Sequence, residues 1–488
     1  MQDHDILLGK TARGEFLWLP GGEHAILQAR SGAGKSVGGS IPNAFTWPGS
    51  LVCLDIKREL FRHTAGWRRQ QGHEVFLFDP SAEDGRSHRW NPFWQVDRQS
   101  PERFDQISRM AFQIFPEVIG QGNGNTDFWN SAAREAFCAV ANMIAETPRE
   151  PLTMANVLRV FLRSDASQWM TRQIEGRRRT PEPYSRAVFD GISGYLSDDE
   201  KLGGSIRKTI TAKLQIWSNP RVAAATNETD FDLREIRRRR MAIYIGVTPG
   251  DVPRNAPLLR LLFDALLSVN TSKTPEQDPS LPFPDLTVPT LLMLDEFAQL
   301  GRMDRLAHAL EYARGYGLRL FLIVQNRPQV MDAYGPHAAS SIWDNVGCEM
   351  IYGTGDEKLA EQVEKRLGDA TVNVVTQNRP RWMSWLHPSK QHEAEHPHRR
   401  PLLLRQEVLQ MPPDEQLILR PGMRPIRAKK IRWWQEREFI ARCKAPPEIP
   451  ELTVEIPIDD GSGPIVQPTR RRISANQISA NDMAQSLD

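Results

Sequence analysis

Two stretches of the chain carry residue types and spacing suited to phosphate chemistry. In HAILQARSGAGKSVGG, residues 24–39, a short apolar run breaks into small residues and ends in Gly34-Lys35-Ser36. Gly32 and Gly34 lack Cβ, so the backbone N–H groups of Gly32, Ala33 and Gly34 can close around phosphate oxygens. A helix beginning near Lys35 adds the partial positive charge of its N-terminus. Lys35 then reaches the β- and γ-phosphates while the Ser36 hydroxyl holds Mg²⁺. The full pattern G-x-x-x-x-G-K-[ST] asks for glycine at position 29, where this chain has Ala29. Taken alone, the loop also reads as a Gly-rich helix-entry turn.

The second stretch is LLMLDEF, residues 291–297, an apolar run ending in two adjacent carboxylates. At the C-terminal edge of a sheet, Asp295 could join the Mg²⁺ shell and Glu296 could orient or deprotonate an attacking water. The bland alternative is a strand followed by a solvated acidic turn. Gln325 closes the run LRLFLIVQ, where it could sense the γ-phosphate or its water, or simply end the strand in a turn. Arg314, in ARGYG, could act as an arginine finger on a neighbouring subunit, a role that can be worth roughly 10³–10⁵ in rate. Otherwise it caps a helix C-terminus.

These residues need a scaffold that brings them to one edge, and the surrounding pattern supplies it. Apolar runs at 24–28, 50–55 and 74–79 alternate with helical stretches at 35–45 and 57–71, with Gly72 between the second helix and the third run. Such alternation predicts a parallel sheet with right-handed crossovers, which places the Gly-rich loop at the C-terminal end of the first strand. From about residue 101 to 220 the periodicity turns helical and strand-like runs disappear, predicting an all-helical insertion interrupted by a polar loop at 176–183. The α/β alternation then returns, with strands at 241–247, 290–295 and 318–325, helices at 256–270 and 303–316, and a loop at 274–289. One sheet assembled from both flanks of the insertion is the economical reading. Beyond Gly368 the pattern becomes irregular, a hairpin is expected at 415–430 around Pro421-Gly422, and the Pro-, Ser-, Asn- and Gln-rich end reads as disordered.

Composition narrows the classes. Sixty-two Lys and Arg against 60 Asp and Glu leave a formal charge of +2, so nucleic-acid contact would have to be local. Its candidates are Arg177, Arg178 and Arg179, the run Arg237 to Arg240, and Arg207, Lys208 and Lys213 on one helix; solvated faces are the competing reading. Trp129 suits packing of the helical region better than base stacking. The four cysteines are far apart and form no C-x-x-C pair, which argues against a zinc site or a disulfide framework. His387, His392, His396 and His398 lack the paired spacing of a structural metal motif and read as a solvated loop. No signal peptide and no run of 18–20 apolar residues is visible, so the chain as written reads as cytoplasmic.

The ordered set ARSGAGKSVGGSIPN, LVCLDIKRELFRHTAGWRRQQGHEVFLFDP, NPF, DFWNSAAR, MAIYIGVTPGD, LLMLDEFAQLGRMDRL, ARGYGLRLFLIVQNRPQ and YG resembles the TraG-type coupling proteins of conjugative type IV secretion. In that family the first glycine of the phosphate loop is often alanine. The resemblance implies an α/β fold, a RecA-like P-loop NTPase with an inserted all-helical domain. Its divisions here would be residues 1–100 and 236–440 for the nucleotide-binding domain, 101–235 for the insertion and 441–488 for a disordered tail. It further implies ATP and Mg²⁺, and a homo-hexameric ring handling single-stranded DNA and its relaxase for a type IV secretion channel. Gly32, Ala33, Gly34, Lys35 and Ser36 match the nucleotide ligands, Ser36 and Asp295 the metal ligands, and Glu296, Gln325 and Arg314 the catalytic set. Members usually carry N-terminal membrane helices and work at the cytoplasmic face of the inner membrane. Here the first site strand is expected at residue 24, so a membrane-free variant, anchoring through other proteins, or a segment missing from the start is expected. Two other roles stay open: a docking scaffold that binds nucleotide without turnover, and a soluble ring translocase on double-stranded DNA.

Overall fold

The computed structural model describes residues 5–117, 124–197, 200–272, 288–377, 393–458 and 469–474. The chain opens with strands β1 (Ile6–Lys10), β2 (Phe16–Leu19) and β3 (Ala25–Gln28), and a π-helical turn, Ser36–Ser40, then runs into α1 (Ile41–Thr46). β4 (Ser50–Ile56), α2 (Glu59–Gln70) and β5 (Glu74–Phe78) complete the first α/β portion. There follow α3 (Arg103–Ile114), α4 (Gly124–Ala145), α5 (Met154–Leu162), α6 (Ala166–Arg178), α7 (Arg186–Ser197), α8 (Glu200–Leu214) and α9 (Pro220–Ala225), with no strand between them among the described residues. The alternation resumes with β6 (Met241–Val247), α10 (Val252–Asn270), β7 (Thr290–Asp295), α11 (Asp304–Tyr312), β8 (Leu318–Val324), α12 (Arg327–Tyr334), α13 (Pro336–Asp344), β9 (Cys348–Tyr352) and α14 (Glu357–Leu367). The rest comprises β10 (Asp369–Gln377), β11 (Glu393–Pro401), α15 (Arg405–Leu409), β12 (Glu415–Leu419), β13 (Ile426–Lys429), α16 (Arg437–Arg442), β14 (Thr453–Ile458) and β15 (Thr469–Ser474).

Eleven strands form one sheet in the order β2-β1-β13-β12-β9-β3-β8-β7-β4-β6-β5. From β9 to β5 every neighbouring pair is parallel. From β9 outward to β2 every pair is antiparallel. The central strands are apolar throughout because both of their faces are covered. Successive residues serve opposite sides: Val52 and Leu54 join the core that continues into the helical insertion, whereas Leu51 and Cys53 join the core beneath α1 and α2. β3, β8 and β7 are consecutive in the sheet, so the C-terminal ends of three strands far apart in sequence meet at one edge.

Several expectations need correction. Residues 369–401, read as irregular, contain the antiparallel pair β10 and β11. The β-branched residues of DATVNVVTQ favour a strand, but its partner EAEHPHRRP has no apolar alternation to reveal it. His387 and His392 lie outside the described residues, as does nearly all of the expected loop at 274–289. Among the described residues no cluster of three His, Cys, Asp or Glu could hold a metal ion, and no helix is long and apolar enough to cross a membrane. Part of the tail read as disordered from residue 441 is packed: Ile449, Leu452 and Val454 are buried, and Arg86 bridges to Glu451. The carbonyls of Lys444 and Ala445 lie so close to Gly66 of α2 that a Cβ there would stand 2.2 Å from the Ala445 oxygen. The expected hairpin at 415–430 is present as β12 and β13.

Candidate nucleotide-binding site

The loop after β3 takes its shape from two glycines with left-handed backbones, Gly32 at φ 76° and Gly34 at φ 87°. A Cβ on Gly32 would meet nothing within 4 Å, so the loop frames an open cradle rather than a packed turn. Ala29 is buried and is not among the positive-φ residues, so its Cβ is accommodated without strain. The helix begins with a π-turn in which the Ile41 N–H donates to the Ser36 carbonyl. Pro42, which has no N–H, follows at once, so the wider turn costs one fewer regular bond. Gly38 and Gly39 let this turn sit against the sheet: a Cβ at Gly38 would be 2.8 Å from the Tyr352 hydroxyl, and one at Gly39 would be 2.8 Å from Leu27.

Four side chains converge beside the cradle. Lys35 Nζ stands 2.7 Å from Glu296 Oε1 and 3.8 Å from Asp295 Oδ1. Gln325 Nε2 donates to the same Glu296 oxygen at 2.9 Å, and Gln299 donates to the other. Glu296 itself has a left-handed backbone, φ 52°, which costs a non-glycine residue roughly 1–2 kcal/mol. Burial pushes its carboxyl up, but the Lys35 and Gln325 hydrogen bonds and the Lys35 charge outweigh this and hold it below its ordinary range. Burial dominates at Asp295, where it lifts the carboxyl to about 6 against the pull of Lys35. Asp295 Oδ1 is buried without a hydrogen-bond partner among the described residues. An orphaned carboxylate oxygen beside an anion-binding loop is what a Mg²⁺ ligand requires, so the residues present fit that ion.

A cavity of about 460 Å³ opens on the other side of the loop, lined by Gly32, Val37, Thr354, Met411, Lys430 and Trp434 among others. Lys430 donates to the Ala33 carbonyl at 3.4 Å, and its ammonium lies 4.4 Å from the Tyr352 ring centroid. The arrangement can bind a polyphosphate, hold a divalent cation on Ser36 and Asp295, and place a carboxylate near the terminal phosphate.

The family described as "Type IV secretory system Conjugative DNA transfer" matches residues 3–453 of the chain. The chain belongs to this conjugative DNA-transfer family. Protein VirD4 of Agrobacterium fabrum (strain C58 / ATCC 33970) is 28% identical over 437 residues, covering 88% of this chain and 62% of VirD4. Conjugal transfer protein TraG of Escherichia coli is 24% identical over 483 residues, covering 93% of this chain and 74% of TraG. Among solved structures, the conjugative coupling protein TrwBdeltaN70 in complex with sulphate is similar, with a TM-score of 0.59 at 18% identity over 84% of this chain and 85% of that one. TrwB in complex with ADP and Mg²⁺ is similar at a TM-score of 0.58 and 16% identity, again over 84% and 85% of the two chains. The fold is thus that of these TrwB structures, a mostly parallel central sheet with a helical domain. The chain spans 58–62% of the length of the three VirD4 relatives it matches.

Within this member of the conjugative DNA-transfer family, the sheet brings Lys35, Asp295, Glu296 and Gln325 together and leaves Arg314 apart. Arg314 lies in the turn before β8, at the sheet edge opposite the phosphate loop, with its stem against Gly22. Five of the ten candidate DNA contacts are engaged in the fold, while Arg179, Lys208, Lys213 and Arg240 are exposed. Arg237 is buried and donates to the Asn270 carbonyl, Arg238 pairs with Glu235, and Arg239 pairs with Glu74. Arg177 and Arg178 sit in the last turn of α6, not in a loop, and cover the rings of Tyr184 and Phe189. Trp129 packs against the helical core. Sequence reasoning missed Gln299, one helical turn past Glu296, and Asp55, whose buried carboxylate accepts from the Leu60 and Phe61 N–H groups. Asp55 ends an apolar strand as Asp295 does, a signal that was present in SLVCLD.

Proposed function

We propose that the chain is an ATP-hydrolysing coupling protein that links DNA and relaxase cargo to a type IV secretion channel in conjugative transfer. The observation that carries this reading is the convergence of Lys35, Asp295, Glu296 and Gln325 beside a left-handed glycine loop, in a member of the conjugative DNA-transfer family. Gly32, Ala33, Gly34 and Lys35 bind the phosphates, and the cavity walled by Lys430 and Trp434 has room for the base and ribose. Ser36 and Asp295 would hold Mg²⁺, which supplies charge neutralisation on the phosphate oxygens when bound. Glu296 receives the proton of the attacking water and Gln325 orients that water.

Arg314 can act only in trans, because its edge of the sheet faces away from its own loop. A closed ring of identical subunits, a homo-hexamer in this reading, presents it to the neighbour's γ-phosphate. Residues 101–235 form the helical domain that receives single-stranded DNA and relaxase, between the nucleotide-binding portions 1–100 and 236–440. The ring works at the cytoplasmic face of the inner membrane, against the channel components. TrwB, which shares this fold, forms complexes with the ATP analogue ADPNP and with ADP and Mg²⁺, which supports ATP and Mg²⁺ as ligands here.

The test is DNA-stimulated ATP hydrolysis by the wild type, Lys35→Ala and Glu296→Gln. Loss of turnover in both variants is expected, and turnover that survives either one overturns the assignment. A preference for double-stranded DNA in a translocation assay would replace export by an intracellular role.

A further inference from the structure

Among the described residues, the non-glycine residues with left-handed backbones are Lys57 at φ 84°, Arg58 at φ 56° and Glu296 at φ 52°. All three follow the ends of β4 and β7, adjacent parallel strands in which Leu54 pairs with Leu294. Among the described residues, the left-handed non-glycine backbone is therefore gathered at the sheet edge beside the loop that carries Lys35. Strain of roughly 1–3 kcal/mol per residue persists only where the surroundings over-determine the conformation.

The surroundings of Lys57 do so. The Asp55 carboxylate accepts from Leu60 N at 3.0 Å and Phe61 N at 2.7 Å, which fixes the start of α2 at Glu59 rather than at Lys57. Arg58 is clamped by Asp79 and by Asp84, each at 2.7 Å. The Lys57 N–H donates to the Val247 carbonyl at 3.4 Å. The Lys57 side chain, by contrast, is exposed and makes no hydrogen bond or ion pair with any described residue. Its charge still reaches Glu296: behind burial, which raises that carboxyl, and the contacts of Lys35 and Gln325, which lower it, Lys57 adds to the downward pull.

A braced, strained turn that presents an unpartnered cation is preorganised for an anion from outside the chain. Three strand spacings put β4 about 14 Å from β3, one strand beyond Glu296. From there its charge acts on Glu296, the carboxylate that follows the intervening strand β7. Resting on the reading of the site as one for ATP, we propose that Lys57 is a γ-phosphate ligand that approaches from the side opposite Lys35. A diphosphate ends short of it, so Lys57 distinguishes ATP from ADP.

The test measures calorimetric affinities of the full chain for a non-hydrolysable ATP analogue and for ADP, in the wild type, Lys57→Gly and Lys57→Arg. Glycine adopts the left-handed backbone without cost, so Lys57→Gly keeps or raises the melting temperature. It is expected to lose about tenfold in affinity for the ATP analogue, the worth of one charged hydrogen bond, with ADP affinity unchanged. Lys57→Arg is expected to recover part of the loss. Unchanged affinity for the analogue overturns the proposal, and so does an equal loss for both nucleotides. Weakened DNA binding with intact nucleotide affinities overturns it too and gives Lys57 to nucleic acid. A wild type that binds nucleotide without hydrolysing it removes the ATPase reading alone, and the comparison of the two nucleotides still decides on Lys57. A wild type that binds neither nucleotide removes both.

Discussion

The Nζ of Lys35 lies 2.7 Å from Oε1 of Glu296, although 261 positions separate the two residues in sequence. The oxygen that accepts from Lys35 also accepts from Gln325. The group proposed to hold phosphates thus neutralises the group proposed to work on water. A triphosphate has to draw Lys35 away, and Glu296 loses its main counter-charge in the same step.

Glu296→Gln should therefore bind ATP more tightly than the wild type while losing hydrolysis. Removing the carboxylate charge frees Lys35 for the phosphates, and an affinity gain of about three- to tenfold is expected from the loss of one competing charged contact. Calorimetry with Mg²⁺-ATP checks this, and an affinity equal to the wild type would mean that the ion pair does not compete.

Asp295 sets a pH dependence. Burial holds its carboxyl at about 6 against an ordinary value of 3.8, so between those pH values the folded chain binds more protons than the unfolded one. Its contribution to stability is present below pH 3.8 and is lost as pH rises through about 6. Mg²⁺ binding runs the other way, because the ion needs the ionised carboxylate. Mg²⁺-dependent nucleotide affinity should weaken as pH falls through about 6, and Asp295→Asn should remove the part of that dependence that Asp295 contributes. Nucleotide titrations from pH 5 to 8 with and without Mg²⁺ read the effect as the difference between wild type and Asp295→Asn, since the nucleotide's own terminal phosphate takes up a proton at about pH 6 in both.

Gly38 and Tyr352 form a pair of opposite expectations. A Cβ at Gly38 would press on the buried Tyr352 hydroxyl and the Ile431 carbonyl, so Gly38→Ala should destabilise by about 1–3 kcal/mol. Among the described residues the Tyr352 hydroxyl has no hydrogen-bond partner, so Tyr352→Phe should be neutral or stabilise by up to about 1 kcal/mol. Combined, Tyr352→Phe should recover part of the alanine's cost in thermal denaturation.

Gly66→Ala should loosen the C-terminal segment. Its Cβ would strike the Ala445 carbonyl, which cannot yield as a flexible side chain would. Faster limited proteolysis between residues 443 and 454 is expected, together with a stability loss of about 1–3 kcal/mol.

The central parallel strands were legible because burial on both faces makes them unbroken apolar runs, and Asp295, Glu296 and Gln325 stood out as polar residues closing such runs. Strand β9, CEMIY, was missed because Glu349 interrupts it; its carboxylate is met by Arg366 and Trp343, contacts no local pattern announces. Strands β1 and β2 are short and find their places against β13 and each other. The arginine clusters looked available for DNA because sequence shows charge but not the carbonyls, carboxylates and rings that engage Arg237, Arg239 and Arg177. The Pro-rich end looked unstructured because Ile449, Leu452 and Val454 are too sparse for a periodic signal, yet each finds a buried site. The left-handed turn at Lys57 and Arg58 could not be read, since neither residue type favours that backbone.

The pairing of Lys10 with Lys429 in the sheet, and the contact of Lys10 with Glu436 across 426 positions, set a schedule for synthesis. On a ribosome adding about 5–20 residues per second, β1 waits roughly 20–80 s for β13. Lys430 and Trp434, which wall the cavity beside the phosphate loop, emerge later still. A nascent chain thus carries the loop long before it carries a finished pocket. Under the proposed function, a chain that has not yet passed residue 434 lacks one wall of its nucleotide cavity.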